Sequence, residues 1–347
     1  MQQNGKQILM NTLNGLSTGI IVALVPGALL NNLIKVLLPT WPSLNVILTM
    51  TSLAAIMLPV VSAACVGMLG KLSPIQTSSL ALAAVCGAGN FHIGKNGFNA
   101  AGSGDVINIA LTIIVGYLLI EMLGAKFKAY TVLLLPTLVL IIAGGVGLLT
   151  FKPVQQITTL IGLIIAQLTN LQPILTGALM GIAFALLIVS PISSVGIATA
   201  VGIHGVASGS ANLGITAASF ALAIYGWKAN SWGTSLAHFL GSPKMQMANL
   251  MTQPKLLLPI IVNAALMGGC GAIFQVGGTA TSAGFGFSGL IGPLAALNSW
   301  GQSSWGNIVL VTILFFIAPI LLGLLSNYVF NNKLNYFSAQ DFALNYE

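Results

Sequence analysis

The stretch Val201–Ile215, VGIHGVASGSANLGI, places four glycines, two serines, one asparagine and one histidine between long apolar segments. It contains no charged residue. Irregular backbone cannot face lipid, because each unpaired amide or carbonyl group costs several kcal/mol in hydrocarbon. Flexible and polar backbone between apolar segments therefore indicates a stretch that protein encloses within a membrane, where it can line a polar cavity.

The composition around this stretch is that of a membrane protein. Only 4% of the residues are charged and 56% are hydrophobic, whereas soluble domains contain about 25% charged residues. A membrane-spanning helix needs about 20 apolar residues. The charge-free intervals Lys35–Lys71, Lys152–Lys228 and Lys255–Lys333 can each hold at least one such helix. The sequence therefore predicts an all-α polytopic membrane protein.

The charges favour a role in topology over a nucleic-acid partner. The net charge of +7 comes from eleven lysines without any arginine, and the lysines lie singly at the ends of apolar runs. This is the distribution of the positive-inside rule, and it weakly predicts a cytoplasmic N-terminus in a bacterial inner membrane. Cys65, Cys86 and Cys270 lack metal-ligand spacing, so neither a metal nor another cofactor is expected.

Apolar runs predict the spans. In the first half they lie at about 15–38, 45–69, 76–91, 105–123 and 130–150. In the second half they lie at about 172–190, 213–227, 256–276 and 307–331. Residues 153–171 hold too many polar groups for a lipid-facing span, so they predict an amphipathic helix in the membrane interface.

Three intervals between the spans are rich in glycine and polar residues: 87–105, 191–212 and 277–300. We expect 191–212 and 277–300 to be re-entrant hairpins that enter the membrane without crossing it. Glycine permits sharp turns and a close approach of the backbone to a ligand. Serine, threonine and asparagine supply hydrogen bonds without charge, which suits a small neutral solute such as a polyol better than an ion.

Three blocks carry a resemblance to a known family: SPISSVGIATAVGIHGVASGSANLGI, GSPKMQMANLMTQPKLLLPI and GGTATSAGFGFSGLIGPLAALN. Together they resemble the integral-membrane component, enzyme IIC, of bacterial phosphotransferase-system permeases, over about residues 15–332. The resemblance implies about ten spans, two re-entrant hairpins, an interfacial connecting helix and a homodimer. Better-characterised relatives carry a glutamate in the second hairpin, whereas residues 277–300 contain no acidic residue. The chain also shows no phosphoryl-carrier domain, so phosphorylation would require separate carrier proteins.

The expected organisation has four parts. Residues 1–152 form an N-terminal transmembrane bundle that supplies most of the dimer contact, and 153–171 form the interfacial helix. Residues 172–332 form a C-terminal transmembrane part that carries the solute site, and 333–347 form a polar tail. The span 15–332 as a whole is interpreted as a single enzyme IIC-like domain.

Candidate solute-binding residues come from the three polar intervals, and no catalytic residue is predicted. They are His204, Ser208, Asn212, Asn90, His92, Thr279, Thr281, Ser282 and Ser288.

Each group of candidates also has a structural interpretation. The His204 imidazole can bind a sugar hydroxyl or close a turn, and Asn212 can contact the solute or cap a helix that starts near 213. Asn90 and His92 can line a cavity or belong to a solvated loop. The residues in 277–300 fall where the family has its sugar motif, but small residues also serve helix packing.

Two further residues have expected roles outside the candidate list. Asp105 is expected to cap the helix that follows it, and His238 is expected to anchor the chain at the membrane interface.

The leading functional hypothesis is a transporter for a small neutral solute, most simply a sugar, acting as the permease subunit of a phosphotransferase system. Two alternatives stay open: a membrane sensor or regulator that keeps the fold, and a metabolite transporter that works without phosphorylation. Whether the chain takes part in an enzymatic reaction is left open. Membrane lipid is an expected partner, and nucleic acid is not.

Overall fold

A computed structural model describes residues 4–94, 97–123, 130–169, 171–280, 282–301 and 304–344. These residues form two compact units. Unit 1 contains residues 1–27 and 37–157, and unit 2 contains 28–36 and 158–347, each where described. Residues 28–36 thus group with unit 2, although the sequence interpretation placed them in the N-terminal bundle.

The first seven helices are α1 Gly5–Leu37, α2 Asn45–Ile56, α3 Leu58–Leu69, α4 Pro74–Ala88, α5 Val106–Leu123, α6 Thr131–Leu138 and α7 Gly145–Leu168. Helix α4 packs between α3 and α5 in unit 1. It begins with a capping box between Ser73 and Gln76 and ends at Gly89, whose positive φ of 67° stops the helix. The expected cap of α5 is confirmed, since Asp105 Oδ1 accepts a hydrogen bond from Asn108 N at 3.0 Å.

A β-hairpin in unit 1 departs from the all-α expectation. Strands β1 Phe91–Gly94 and β2 Gly97–Ala100 pair antiparallel, with His92 opposite Asn99. Two strands this short can close a polar loop, because each supplies the partner for the other's backbone groups.

The helices of the second half are α8 Pro173–Ile188, α9 Ser194–Val201, α10 Gly205–Tyr225, α11 Trp232–Leu240, α12 Met247–Thr252, α13 Leu257–Ile273, α14 Ile291–Ser299, α15 Trp305–Thr312 and α16 Ala318–Asn327. Helix α10 is the centre of unit 2 and packs against α8, α13 and α16. Nearly all of its residues from Ser208 to Tyr225 are buried. Small residues make this close packing possible, since a Cβ on Gly214 would lie 2.3 Å from Gly181 Cα.

Among the described residues, six helices are long and apolar enough to cross a membrane, and α2 with α3 adds a seventh if this pair, bent by 52°, is one span. The six are Gly5–Gly27, Val106–Leu123, Thr131–Leu168, Gly205–Tyr225, Pro254–Ile273 and Trp305–Lys333. The predicted spans at 76–91 and 172–190 correspond to shorter apolar helices, Pro74–Ala88 and Pro173–Ile188. The chain is therefore a helical polytopic membrane protein. The described residues contain fewer helices of spanning length than the expected number of about ten.

Residues expected to form a separate interfacial helix instead continue a long helix. Helices α6 and α7 join through the π-helical turns of Val139–Gly144, so Thr131–Leu168 is one apolar helix. Pro153 lies inside α7, and helix continuity at this proline is possible because its missing amide removes only one bond. That residues 153–168 lie in the interface stays a prediction.

The residues expected to form a polar tail pack into unit 2. The Phe337 and Phe342 side chains are buried, and the Phe342 ring centroid lies 5.4 Å from that of Tyr225. Asn230 Nδ2 donates a hydrogen bond to Phe342 O at 2.9 Å. Two buried phenylalanines and hydrogen bonds to the Phe342 carbonyl thus hold this segment against the helices.

Candidate functional site

The segment between α13 and α14, residues 276–290, is largely non-helical where it is described, and apart from Thr279 and Leu290 its described residues are buried or half-buried in unit 2. It follows Gln275 and ends at Leu290, and both have left-handed φ values, 51° and 57°. Such conformations are uncommon for residues other than glycine and cost of order 1–3 kcal/mol each. Val276 and Ala283 have no exposed surface. Non-helical backbone can lie within the hydrocarbon region of a membrane only where protein buries it or where it lines a water-filled cavity.

The first turns of α10 hold the 276–290 segment by backbone contacts. Gly205 N donates to Gly278 O at 2.9 Å, and Gly278 N donates to Gly205 O at 3.0 Å. One helical turn later, a Cβ on Gly209 would lie 1.8 Å from Val276 O. Only glycine fits at position 209, because any side chain would occupy the space of this carbonyl group.

Three predicted site residues meet at this contact. Ser208 Oγ donates to Thr279 O at 2.8 Å, and Ser282 Oγ donates to the same carbonyl at 3.0 Å. Ser282 Oγ also accepts a hydrogen bond from Thr279 N at 2.9 Å. We call Ser208, Thr279 and Ser282 the hydroxyl cluster. Its bonds link α10 to the 276–290 segment.

Asn212 lies one turn beyond Ser208, and its capping interpretation is wrong. Helix α10 starts at Gly205 instead of 213, so Asn212 lies inside the helix. The backbone amide and carbonyl groups of the glycine-rich residues form hydrogen bonds along this helix. Asn212 Oδ1 accepts a hydrogen bond from Gly286 N at 3.1 Å. Asn212 Nδ2 and Ser210 Oγ are buried and form no hydrogen bond with any described residue.

His204 immediately precedes α10 and is exposed. Its backbone is extended, and its side chain does not cap the helix. His204 Nδ1 lies 2.9 Å from Gly202 O. In the chain, His204 directly precedes Gly205, which pairs with Gly278 through backbone hydrogen bonds.

The remaining candidates lie elsewhere or outside the description. Ser288 Oγ donates to Gly241 O, which makes Ser288 an anchor of the 276–290 segment. Asn90 belongs to unit 1, where its Nδ2 donates to Ile56 O at 3.0 Å and Gly102 O at 3.2 Å. Thr281 and the side chain of His92 lie outside the described residues.

The chemistry of the site is neutral and rich in hydrogen-bonding groups. Residues 201–215 and 276–290 contain no aspartate, glutamate, lysine or arginine. In the described part of the chain, no group of three or more His, Cys, Asp or Glu residues could hold a metal ion. Hydroxyl, amide and imidazole groups of this kind can exchange hydrogen bonds with a hydroxyl-rich solute.

Comparison with known proteins decides the family. The family model described as "Phosphotransferase system, EIIC" matches residues 10–344, nearly the whole chain. The chain belongs to the phosphotransferase-system EIIC family. No curated protein and no solved structure matches it. By family, this EIIC protein is thus a membrane component of a sugar phosphotransferase system, and its long apolar helices are consistent with a location in the membrane.

The EIIC chain contains a buried lysine that the sequence interpretation missed. Lys244, in the 3₁₀ turn Pro243–Gln246, is only 6% exposed, and its Nζ contacts three backbone carbonyl groups. Burial lowers the pKa of Lys244 from 10.5 to about 7, whereas the carbonyl acceptors favour the charged form. The available signal was its position in the block GSPKMQMANLMTQPKLLLPI, where Pro243 and Met245 flank it.

The position of His238 in the EIIC fold differs from the expected interfacial anchor. Its side chain is fully buried, and its Nδ1 lies 3.0 Å from Thr234 O and 3.1 Å from Ser235 O. Nδ1 therefore carries the proton, and Nε2 accepts a hydrogen bond from Gln246 Nε2 at 3.1 Å. Burial lowers the pKa of His238 from 6.5 to about 4, so the imidazole is neutral near pH 7.

Proposed function

We propose that this EIIC protein is the permease subunit of a sugar phosphotransferase system and that unit 2 binds a neutral sugar beside the hydroxyl cluster. The observation that carries the proposal is the contact of α10 with the 276–290 segment. It brings together uncharged donors and acceptors, including the Asn212 Nδ2 group that lacks a partner among the described residues. A buried amide without a partner gains free energy when a ligand supplies the missing bond.

Residues of the site have different roles in this proposal. Asn212 and His204 contact the sugar, Asn212 from inside α10 and His204 from its start. Ser208 and Ser282 hold the 276–290 segment and exchange bonds with the sugar. Ser288 fixes the end of the segment through Gly241.

The proposal also covers the setting of the chain. The sugar is phosphorylated by separate carrier proteins, which bind on the cytoplasmic side. The N-terminus faces the cytoplasm of a bacterial inner membrane, the 276–290 segment re-enters from one side, and the protein assembles as a homodimer through unit 1. Chemical crosslinking in membranes and accessibility of single introduced cysteines test assembly and topology.

The decisive experiment is uptake of a panel of radiolabelled hexoses and disaccharides into membrane vesicles, with and without a phosphoenolpyruvate-dependent carrier relay. We expect accumulation of one sugar as its phosphate only with the relay. His204→Ala should weaken the affinity for that sugar about tenfold, equal to about 1.4 kcal/mol, and His204→Gln should retain part of the affinity. Sugar binding without uptake would contradict transport and favour the sensor. Uptake of free sugar without the relay would favour a transporter independent of phosphorylation.

A further inference from the structure

Lys244 is bound where one helix ends and the next begins. Its Nζ donates to Leu187 O at 3.3 Å, to Ile192 O at 2.7 Å and to Ser190 O. These carbonyls belong to the last turn of α8 and to the loop before α9. The end of a helix leaves carbonyl groups without backbone partners and has a partial negative charge, so it favours a cation. An ammonium group has three donors, and each has an acceptor here.

The same lysine lies between two of the side-chain anchors of the 276–290 segment. On one side, Ser194 Oγ donates to Gly284 O at 2.9 Å, and Ser194 is two residues after Ile192. On the other side, Ser288 Oγ donates to Gly241 O, and Gly241 is three residues before Lys244. Any movement of the α8–α9 loop away from the 241–246 turn would therefore pull these two anchors apart.

We propose that Lys244 is a positioning residue: its ammonium group joins the end of α8 and the loop before α9 to residues 241–246 and thereby holds the 276–290 segment against α10. Lys244 does not touch the sugar in this proposal. Its effect on transport rests on the function proposed above, whereas its effect on the segment does not.

The nature of the contacts supports an electrostatic rather than a packing role. Helices α8 and α9 contain no titratable residue, and the nearest titratable residue on α11 is His238, which is bound to Gln246. The three hydrogen-bond acceptors of Nζ are all backbone carbonyl groups. An apolar side chain of similar length, as in Lys244→Met, would fill the space but leave these carbonyls without their donor.

The first test measures exposure of the segment without any sugar. The three cysteines are replaced by alanine, Ala283→Cys is introduced as a reporter, and the rate of labelling by N-ethylmaleimide is measured in native membranes. Ala283 is fully buried, so labelling requires opening of the segment. We expect Lys244→Met to raise the rate about tenfold, equivalent to about 1.4 kcal/mol in the opening equilibrium.

Two variants serve as controls. Lys255→Met removes an exposed lysine eleven residues further along and should leave the labelling rate unchanged. Met247→Ala removes a fully buried side chain close to Lys244. It should lower the melting temperature without raising the labelling rate at position 283. An unchanged rate in Lys244→Met, or an equal rise in Met247→Ala, would overturn the proposal.

Chemical rescue isolates the charge. In Lys244→Ala the missing atoms correspond to propylammonium, which should restore slow labelling, while 1-propanol of similar size should not. Equal rescue by both compounds would assign Lys244 a packing role and overturn the proposal. If Lys244→Ala does not accumulate in membranes, the rescue is measured on protein made in the presence of propylammonium.

Sugar uptake separates this inference from the proposed function. With the sugar identified by the uptake panel, Lys244→Met should raise KM about tenfold at a maximal rate close to that of the Lys255→Met control. If no sugar is transported by the unmodified protein while Lys244→Met still opens the segment, the proposed function fails and the positioning role stands. If the sugar is transported and Lys244→Met changes neither KM nor labelling, only the positioning role fails.

Discussion

The side-chain oxygen of Asn212 accepts a hydrogen bond from the backbone amide of Gly286 at 3.1 Å, which joins the middle of α10 to the 276–290 segment. The two residues are 74 positions apart in the chain. The bond holds one side of the Asn212 amide and leaves Nδ2 without a partner among the described residues. A single side chain thus both fixes the segment and presents a donor at the candidate site.

Asn212→Ala should lower the free energy of unfolding by about 1–3 kcal/mol, because the buried Gly286 amide loses its acceptor. Ser210→Ala is the matched control, since Ser210 Oγ is buried on the same helix without a bond to lose. It should change stability by less than about 1 kcal/mol. Thermal unfolding in detergent measures both variants, and equal losses would show that the Asn212–Gly286 bond contributes nothing.

Gly209→Ala should prevent normal packing of α10 on the 276–290 segment. The new Cβ would lie 1.8 Å from Val276 O, and because the obstacle is backbone, we expect a loss of at least about 3 kcal/mol. Gly233→Ala in α11 is the control, since nothing lies within 4 Å of its Cβ position; it should stay within about 1 kcal/mol of the original protein. The yield of folded protein and the melting temperature measure the effect of both substitutions. A Gly209→Ala protein as stable as the original would contradict the close contact between Gly209 and Val276.

His238 should make stability depend on pH. The unfolded chain binds a proton on His238 below about pH 6.5, while the folded protein does so only near pH 4. The unfolded state therefore binds more protons between these values, and stability falls as the pH is lowered, by about 3 kcal/mol in total.

The measurement compares unfolding midpoints from pH 7.5 to 4 for the original protein and for His238→Gln, which keeps a donor and an acceptor but does not titrate. The stability advantage of the original protein should shrink as the pH falls. Parallel profiles for the original protein and His238→Gln would rule out the buried neutral imidazole.

Phe342→Ala should release the segment that packs on unit 2. Its ring is fully buried and lies 5.1 Å from the ring of Phe337, and truncation of such a side chain costs about 3–5 kcal/mol. Leu334→Ala is the control: Leu334 is 61% exposed, so its effect should be within about 0.5 kcal/mol. Thermal unfolding and carboxypeptidase digestion report the loss, and unchanged resistance to digestion in Phe342→Ala would contradict the packing.

The local pattern of the sequence was sufficient for the membrane class, for the family and for the unusual nature of two intervals. Charge-free runs of about 20 apolar residues are long enough to cross the hydrocarbon core of a bilayer, so composition predicts spanning helices. Residues 277–300 were expected to form a re-entrant hairpin, since they have neither the charge of a loop nor the side chains of a span. Ile291–Ser299 form helix α14, and the re-entrance of this interval stays a prediction.

The tertiary structure decided where helices begin and which polar groups meet. Residues 205–212 have the glycine content of an irregular stretch, yet they are helical, because small side chains let α10 approach Val276 and Gly181 closely. Periodicity cannot reveal such contacts, since they join residues far apart in the chain. Ser208 meets Thr279 across 71 positions, and Lys244 meets Ile192 across 52.

What the sequence by itself determined was therefore the membrane class of the chain, because hydrophobicity is a property of single residues and short runs. What only the tertiary structure decided was the pairing of polar atoms. Most buried donors and acceptors in proteins have a partner at about 3 Å. The Asn212 side chain binds the Gly286 amide instead of capping a helix, and the Lys244 ammonium group binds backbone carbonyl groups. Both find these partners because segments distant in the chain pack together.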